Sequence, residues 1–327
     1  MKRRAFIAGL GCSMISVSGA AEAQAPSKVY RIGVLSPTGP FTETSPFGAP
    51  LLHELAQQGY AQGAGAEFEH RAADGHLERL PHLVEELAAS KVDVLITGGY
   101  PPALAAKQNG TIPAVAFGAG DPVRTGLVES LARPGGNLTG ISDVSAELTP
   151  KRMDLLKQLV PTLKRVAMLW NAADLGMTAR YTASETGAKA MGISVQALGV
   201  REPEDFGQAF AAMEREPPDA ILMVSDSLTM LNRKRIFEFA AEHRLPAIYE
   251  FDFVVREGGL MSYAPDLNET FTRVACLVDR VLKDAKPADL PFEEPTRFNF
   301  TFNLKTAKAL GLAVPPTLLA LADEVIE

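Results

Sequence analysis

The chain has 327 residues, 46% of them hydrophobic and 22% charged, with a formal net charge of −7. This length suits two α/β lobes of ordinary size better than one. An acidic balance without a basic cluster argues against nucleic acid or an anionic membrane as partner.

Lys2, Arg3 and Arg4 precede an apolar run from Ala5 to Val17, and Ala21-Glu22-Ala23 and Ala23-Gln24-Ala25 follow as small-residue cleavage sites. That pattern predicts a secretory signal peptide over residues 1–25. Arg3-Arg4-Ala5-Phe6-Ile7 also reads as a twin-arginine motif, so both export routes stay open. Cys12 is disfavoured as a lipid anchor, because Gly9 stands where such sites carry Leu or Val. Removing 25 of 327 residues leaves 302, and removing the plus two of Lys2, Arg3, Arg4 and Glu22 takes −7 to −9. Cys276 is then the one cysteine, which rules out an internal disulfide and predicts a buried helix residue. No later apolar run approaches the roughly 18 residues of a membrane span.

Val29 to Leu35 reads as the first strand, followed by Ser36-Pro37-Thr38-Gly39-Pro40 rather than the G-x-G-x-x-G turn of a dinucleotide site. Ser36 and Thr38 offer hydroxyls at this strand end; Phe41 and Phe47 offer apolar surface. A helix from Pro50 to Gln57, a strand near Ala66 to Arg71 and a charged helix from Leu77 to Ser90 come next. Val92 to Thr97 is a β-branched run, Ala103 to Lys107 favours helix, and Pro113 to Phe117 is a second apolar run after Gly110, which makes a parallel strand-helix-strand crossover. Ligands in open α/β sheets sit at the carboxyl ends of the strands. The candidates there are Gly99, Tyr100 and Pro101 after one strand and Phe117, Gly118 and Ala119 after the next. Because Pro101 and Pro102 lack an N–H, only Gly99, Tyr100, Ala103 and Leu104 remain as main-chain donors. Asp121 reads first as a turn or cap residue.

After a helix over Glu147–Leu159 the pattern starts afresh, with strands Arg165–Trp170, Ile193–Leu198, Ala220–Val224 and Pro246–Glu250 alternating with helices Met177–Met191, Pro203–Arg215 and Leu228–His243. Its carboxyl edge presents Trp170 and Asn171, then Asp226 and Ser227, then Phe251 and Asp252. A buried ammonium needs a compensating carboxylate, so Asp226 or Asp252 is a candidate partner, with helix capping as the alternative for both and core packing as the alternative for Trp170. Gly140 to Val144 is read as the first crossing between lobes and Leu260 to Ala264 as the second. Leu267 to Leu282 is a helix returning to the first lobe, and Pro287 to Pro295 a connector. Arg297 to Asn303 alternates strictly and is read as a half-exposed strand and third crossing. The lobes are then residues 28–142 plus 265–295 and residues 143–264 plus 296–327.

The stretches DVLITGGYPPALAAK, IPAVAFGAGDPVRTGLVESLARPGGNLTGIS and ELTPKRMDLLKQLVPTLKRVAMLWN closely resemble the substrate-binding proteins of ABC transporters of the TrpX/YnjB-like class, which includes binders of tryptophan and tyrosine. RPGGNLTG is the most specific part, and the resemblance spans essentially the whole mature chain. It implies a type I periplasmic binding protein fold, two parallel-sheet lobes on a three-crossing hinge, that takes a small amino-acid or aromatic carboxylate ligand without a cofactor. It further implies a periplasmic monomer that delivers cargo to an ABC permease in the inner membrane. Asp226-Ser227 and Tyr100-Pro101-Pro102 depart from the pattern where many relatives carry Asp-Asn and Thr-Pro-Ala, so tryptophan or tyrosine specificity is an analogy. The anion of a zwitterionic or carboxylate ligand is expected to meet main-chain donors near Tyr100 and the hydroxyls of Ser36 and Thr38. A receptor-feeding sensor is the alternative, and an exported enzyme a lesser one, since G-x-S-x-G, H-E-x-x-H and the Walker pattern are all absent. The five histidines, His53, His70, His76, His82 and His243, show no metal-ligand spacing.

Overall fold

The computed structural model describes residues 28–327. The expected leader, with its paired arginines and Cys12, lies outside the described residues.

The first lobe carries β1 (Tyr30–Ser36), α1 (Gly48–Gln57), β2 (Ala61–Gln62), β3 (Gly65–Ala72), α2 (Leu80–Ala89), β4 (Val94–Gly98), α3 (Tyr100–Asn109), β5 (Ala114–Phe117) and β6 (Leu138–Ile141). Its strands pair in the order β2-β3-β1-β4-β5-β6, all parallel. Every residue of β4, β5 and β6 is buried. That is why these strands read as continuous apolar runs rather than alternating ones: helices cover both faces of a parallel sheet.

The second lobe follows with α4 (Thr149–Leu159), β7 (Arg165–Asn171), α5 (Leu175–Ala190), β8 (Ser194–Val200), α6 (Asp205–Arg215), β9 (Ala220–Met223), α7 (Ser227–Leu231), α8 (Arg233–Glu242), β10 (Ala247–Tyr249), α9 (Asp252–Arg256) and β11 (Met261–Pro265). The chain then returns through α10 (Leu267–Leu282) before β12 (Phe298–Asn303), α11 (Leu304–Ala309), α12 (Pro316–Leu319) and β13 (Glu324–Ile326). The seven strands order as β13-β12-β11-β10-β9-β7-β8, parallel except for the β11–β12 pair. The apolar face of α10, Phe271, Val274, Val278 and Val281, packs with Leu51 and Leu55 of α1 in the first lobe's core, so one helix late in the sequence completes the lobe that comes first.

Several expectations are corrected here. Leu260 to Ala264 belongs largely to β11 of the second sheet, and the chain leaves that sheet only past Pro265. The 297–303 segment is likewise a sheet strand, and it is not half exposed: flanked by β11 and β13, it buries Thr301 and Asn303 as well as Phe300 and Phe302. Asn303 is satisfied there by capping the Thr306 N–H (2.9 Å) and donating to Val255 O (3.0 Å). The 287–295 connector is pinned, with Leu290 and Phe292 buried. Glu293 exchanges main-chain bonds with the edge of β6, to Gly140 O and from Ser142 N, both at 2.8 Å. Cys276 is exposed, on the face of α10 turned away from the core.

Candidate functional site

A cavity of about 300 Å³ lies between the facing carboxyl edges of the two sheets. In the first lobe its wall is built where β1, β4 and β5 end. Gly98 has no side chain for a steric reason: a Cβ there would meet Phe41 Cζ at 2.9 Å and Phe117 Cζ at 3.0 Å. The two phenylalanine rings thus close over the strand end and, with Phe47, form a cluster with centroids 5.7–6.1 Å apart. Phe47 reaches across the cleft to Phe251 (5.2 Å) and Phe253 (5.3 Å), edge-on to both, which is a favoured geometry for aromatic pairs. Tyr100 packs against Gly176 of the other lobe. The lobes therefore touch on two sides of the cavity.

The second lobe supplies carboxylates. Asp226 caps α7 with a capping box: Oδ1 accepts from Leu228 N (2.7 Å) and Thr229 N (3.1 Å), while Thr229 Oγ1 accepts from Asp226 N (3.0 Å). Its Oδ2 accepts from Asn171 N (3.0 Å). Burial, reinforced by the charge of Asp174, outweighs these three bonds and pushes its carboxyl up to about 7. Asp174 caps α5 through Oδ1 alone, accepting from Gly176 N and Met177 N, and burial raises its pKa as well. Only 5% of Asp174 is exposed, and it lines the cavity.

Below the cavity sits a buried ion network. Arg180 bridges Asp143 (2.5 Å) and Glu250 (2.9 Å), and Arg152 meets Glu250 at 3.1 Å. Burial alone would raise the Glu250 carboxyl, but Arg180 and Arg152 hold it below the ordinary value; burial lowers Arg180 while Asp143 and Glu250 raise it further. Two cations balance two anions, so this floor offers no spare charge.

Of the residues singled out by sequence, Thr38, Gly99, Tyr100, Pro101, Phe117, Gly118, Asp226, Ser227 and Phe251 line the cavity. Ser36, Ala119, Trp170, Asn171 and Asp252 do not. Ser36 is fully buried, and its Oγ accepts from Thr38 N at 3.2 Å and lies 3.4 Å from Thr38 Oγ1. Ala119 is sealed in the first lobe's core. Trp170 stacks on Tyr181 at 3.8 Å and 5° among second-lobe core residues. Asn171 turns its Oδ1 to Ala173 N (2.9 Å). Asp252 is taken by its own helix, accepting from Phe253 N and pairing with Arg256 at 2.8 Å. Two of the expected main-chain donors are also engaged, Gly99 N with Phe117 O and Ala103 N with Gly99 O. Sequence reading missed Asp174 and Phe253. The former had a signal, an Asp three residues past a strand end and before a helix, the same capping pattern that drew attention to Asp226. Among the described residues no group of three His, Cys, Asp or Glu side chains is placed to hold a metal ion, and no helix is long and apolar enough to cross a membrane.

Comparison with known proteins agrees with this architecture. A profile of the ABC transporter substrate binding protein family matches residues 49–326. A tyrosine-binding protein of Clostridioides difficile (strain R20291) is 25% identical over 264 residues, covering 80% of this chain and 75% of that protein. Among solved structures, a conserved domain protein from Vibrio cholerae superposes with a TM-score of 0.85 at 23% identity, covering 91% of this chain and all of the other. A Streptococcus pneumoniae ABC domain in complex with L-Trp gives 0.81 at 22% identity over the same shares. The two-lobed fold is that of the type I periplasmic binding proteins. With most of its length matched by the family profile and both sheets facing one enclosed cleft, the chain belongs to the ABC transporter substrate-binding proteins.

Proposed function

We propose that the protein captures a small amino acid with an apolar or aromatic side chain between its lobes and delivers it to an ABC permease. The observation that carries this reading is the cavity itself. It is enclosed by both lobes, walled by Phe41, Phe47, Phe117, Phe251 and Phe253, and bordered by two recessed carboxylates. Its volume of about 300 Å³ lies at the lower end of the small-molecule range, which suits a single amino acid rather than a peptide. The rings bury an apolar body; the carboxylates compensate an ammonium. Residues 28–142 plus 266–295 and residues 143–265 plus 296–327, the expected division shifted by the one residue that β11 retains, would move as two bodies, and closure around cargo creates the surface that a permease distinguishes from the empty form. In this reading the mature chain is a periplasmic monomer exported on its first 25 residues. Similarity to a tyrosine-binding protein and to a fold solved with L-Trp supports an amino-acid cargo.

The test is a thermal-shift screen of the mature protein against the amino acids. A ligand at about a hundredfold its Kd adds about 2.7 kcal/mol to stability, well above detection. A shift with apolar or aromatic amino acids is expected; no shift with any amino acid refutes the assignment.

A further inference from the structure

The charges around the cavity are one-sided. Asp174 has an unpartnered Oδ2 on a side chain that is 95% buried, from its 5% exposure. Beside it lies Asp226. Among the described residues the one Lys or Arg in the cavity wall, Arg233, is spent: it holds Glu257 through two nitrogens, at 2.5 and 3.0 Å, and donates a third to Met230 O. Arg180 and Arg152 below the cavity are balanced in charge by Asp143 and Glu250, and neither lines the cavity, although Arg152 Nη2 has no partner.

Helix N-termini usually make up for missing cations, because their free N–H groups and positive dipole end attract anions. Several helices begin around this cavity, and at five of them side chains of the protein already take first-turn donors. Asp174, Asp226 and Asp266 cap α5, α7 and α10. Ser45 Oγ takes the Gly48 N–H of α1 (3.1 Å), and Asp252 takes the Phe253 N–H of α9 (2.7 Å). In α3 two of the first three residues are Pro101 and Pro102, which have no N–H to give. What remains are neutral donors, main-chain N–H groups such as those of Tyr100, Ser227 and Leu267 and hydroxyls such as Ser225 Oγ, which is buried without a partner. The cleft thus has two carboxylates for a cation and only neutral donors for an anion.

We infer that the charge recognised in this cleft is the ligand's ammonium, held at Asp174 Oδ2 and beside Asp226, and that a ligand carboxylate is dispensable, so the protein also takes primary amines carrying the same apolar body. This rests on the amino-acid reading above and narrows it. Discarding the carboxylate removes an anion that would otherwise be buried near two others.

The experiment is isothermal titration of the mature protein with matched triads built on phenylalanine, tyrosine, tryptophan and leucine: the amino acid, the decarboxylated amine, and the deaminated acid. For at least one body the amine is expected to bind within about tenfold of the amino acid, while the deaminated acid is weaker by about a hundredfold or more, the loss of a charge-assisted contact together with carboxylate repulsion. Asp174→Asn keeps a capping oxygen for α5 and removes the charge; it is expected to leave the ligand-free melting temperature near wild type and to weaken the amine about tenfold to a hundredfold. If amino acids bind but their amines do not, the inference is overturned and the amino-acid reading stands. Binding of the deaminated acid as tightly as the amine overturns the inference as well. If no member of any triad binds, both fall together.

Discussion

Gly176, the second residue of α5, tests whether the cleft must close to bind. A Cβ built there would lie 2.9 Å from Cγ, 3.0 Å from Cβ and 3.1 Å from Cδ1 of Tyr100. Tyr100 stands on the first turn of α3, in the opposite lobe, and its Cβ at 3.0 Å is fixed by the backbone, so a rotamer change that moves the ring does not remove the whole clash. Gly176→Ala therefore has to part the lobes locally. Overpacking of this kind costs about 1–3 kcal/mol, and here the penalty falls on the closed state alone. The open state gains instead, by up to about 1 kcal/mol, from replacing glycine within a helix. Because a ligand touching both walls is bound by the closed state, its Kd should rise by roughly 5- to 150-fold. Titration of wild type and Gly176→Ala with the tightest amino acid from the screen measures this, alongside ligand-free thermal unfolding. Weakened binding with an unchanged or raised ligand-free melting temperature is the expected pair of results. Equal affinity in the two proteins would show that Tyr100 and Gly176 need not meet for capture, and the closure argument would fail.

Other perturbations separate packing from binding. Trp170→Phe should lower stability by about 1–2 kcal/mol through loss of its stack on Tyr181 and leave ligand affinity unchanged, as judged by urea unfolding and titration. Arg180→Met leaves Asp143 and Glu250 buried without their shared cation; a loss of about 3–5 kcal/mol is expected in urea unfolding. Asp226, with its carboxyl pushed up to about 7, binds a proton in the folded state that the unfolded chain has already released above about pH 4. Its contribution is therefore fully present below the unfolded value and is lost as pH rises through 7. Relative to Asp226→Asn, which keeps the cap, wild-type stability should fall between pH 5 and pH 8; a difference that is flat across this range, or rises, contradicts the burial argument.

Much of the fold was legible because parallel strands buried on both faces announce themselves as short apolar runs between glycine or proline stops, as β4 and β5 do. What escaped was tertiary. The strict alternation over Phe298–Asn303 signals one wet face only when nothing covers it, and the element that meets Asn303, α9 through Val255 O, lies far earlier in the chain. Trp170 sits at a strand end, where ligands gather, but its neighbour Tyr181 on α5 offers a stacking surface that no local pattern encodes. Within the site, residue type named Asp226 and Asp252 alike, and only the tertiary structure tells them apart. Asp252 and Asp226 are equivalent in sequence, each an acid after a strand of the second lobe. The i+4 residue Arg256 neutralises the former, whereas Asp226 stays recessed with no cation.

The buried charges also mark where the chain passes from one sheet to the other. Ser142 is fastened to the first lobe, its Oγ donating to Gly120 O (2.8 Å) and its N–H to Glu293 O (2.8 Å). Asp143, the next residue, is fastened to the second lobe through Arg180, which also holds Glu250 at the end of β10. The change of allegiance is confined to one peptide link. Val144 follows with φ 42, a left-handed backbone that a β-branched residue adopts at a cost. That conformation is held in place by the Val144 N–H bond to Ser142 Oγ (3.1 Å) and the Leu148 N–H bond to Val144 O (3.2 Å). The other two passages between the sheets are tied together, Asp266 N to Arg297 O (3.0 Å) and Asn299 Nδ2 to Asp266 Oδ2 (2.9 Å). The neutral ion network sits beside the first passage, at Asp143. The charges of that network compensate one another's desolvation. The uncompensated carboxylate of Asp174 belongs where it is, on the wall that closure brings onto the ligand.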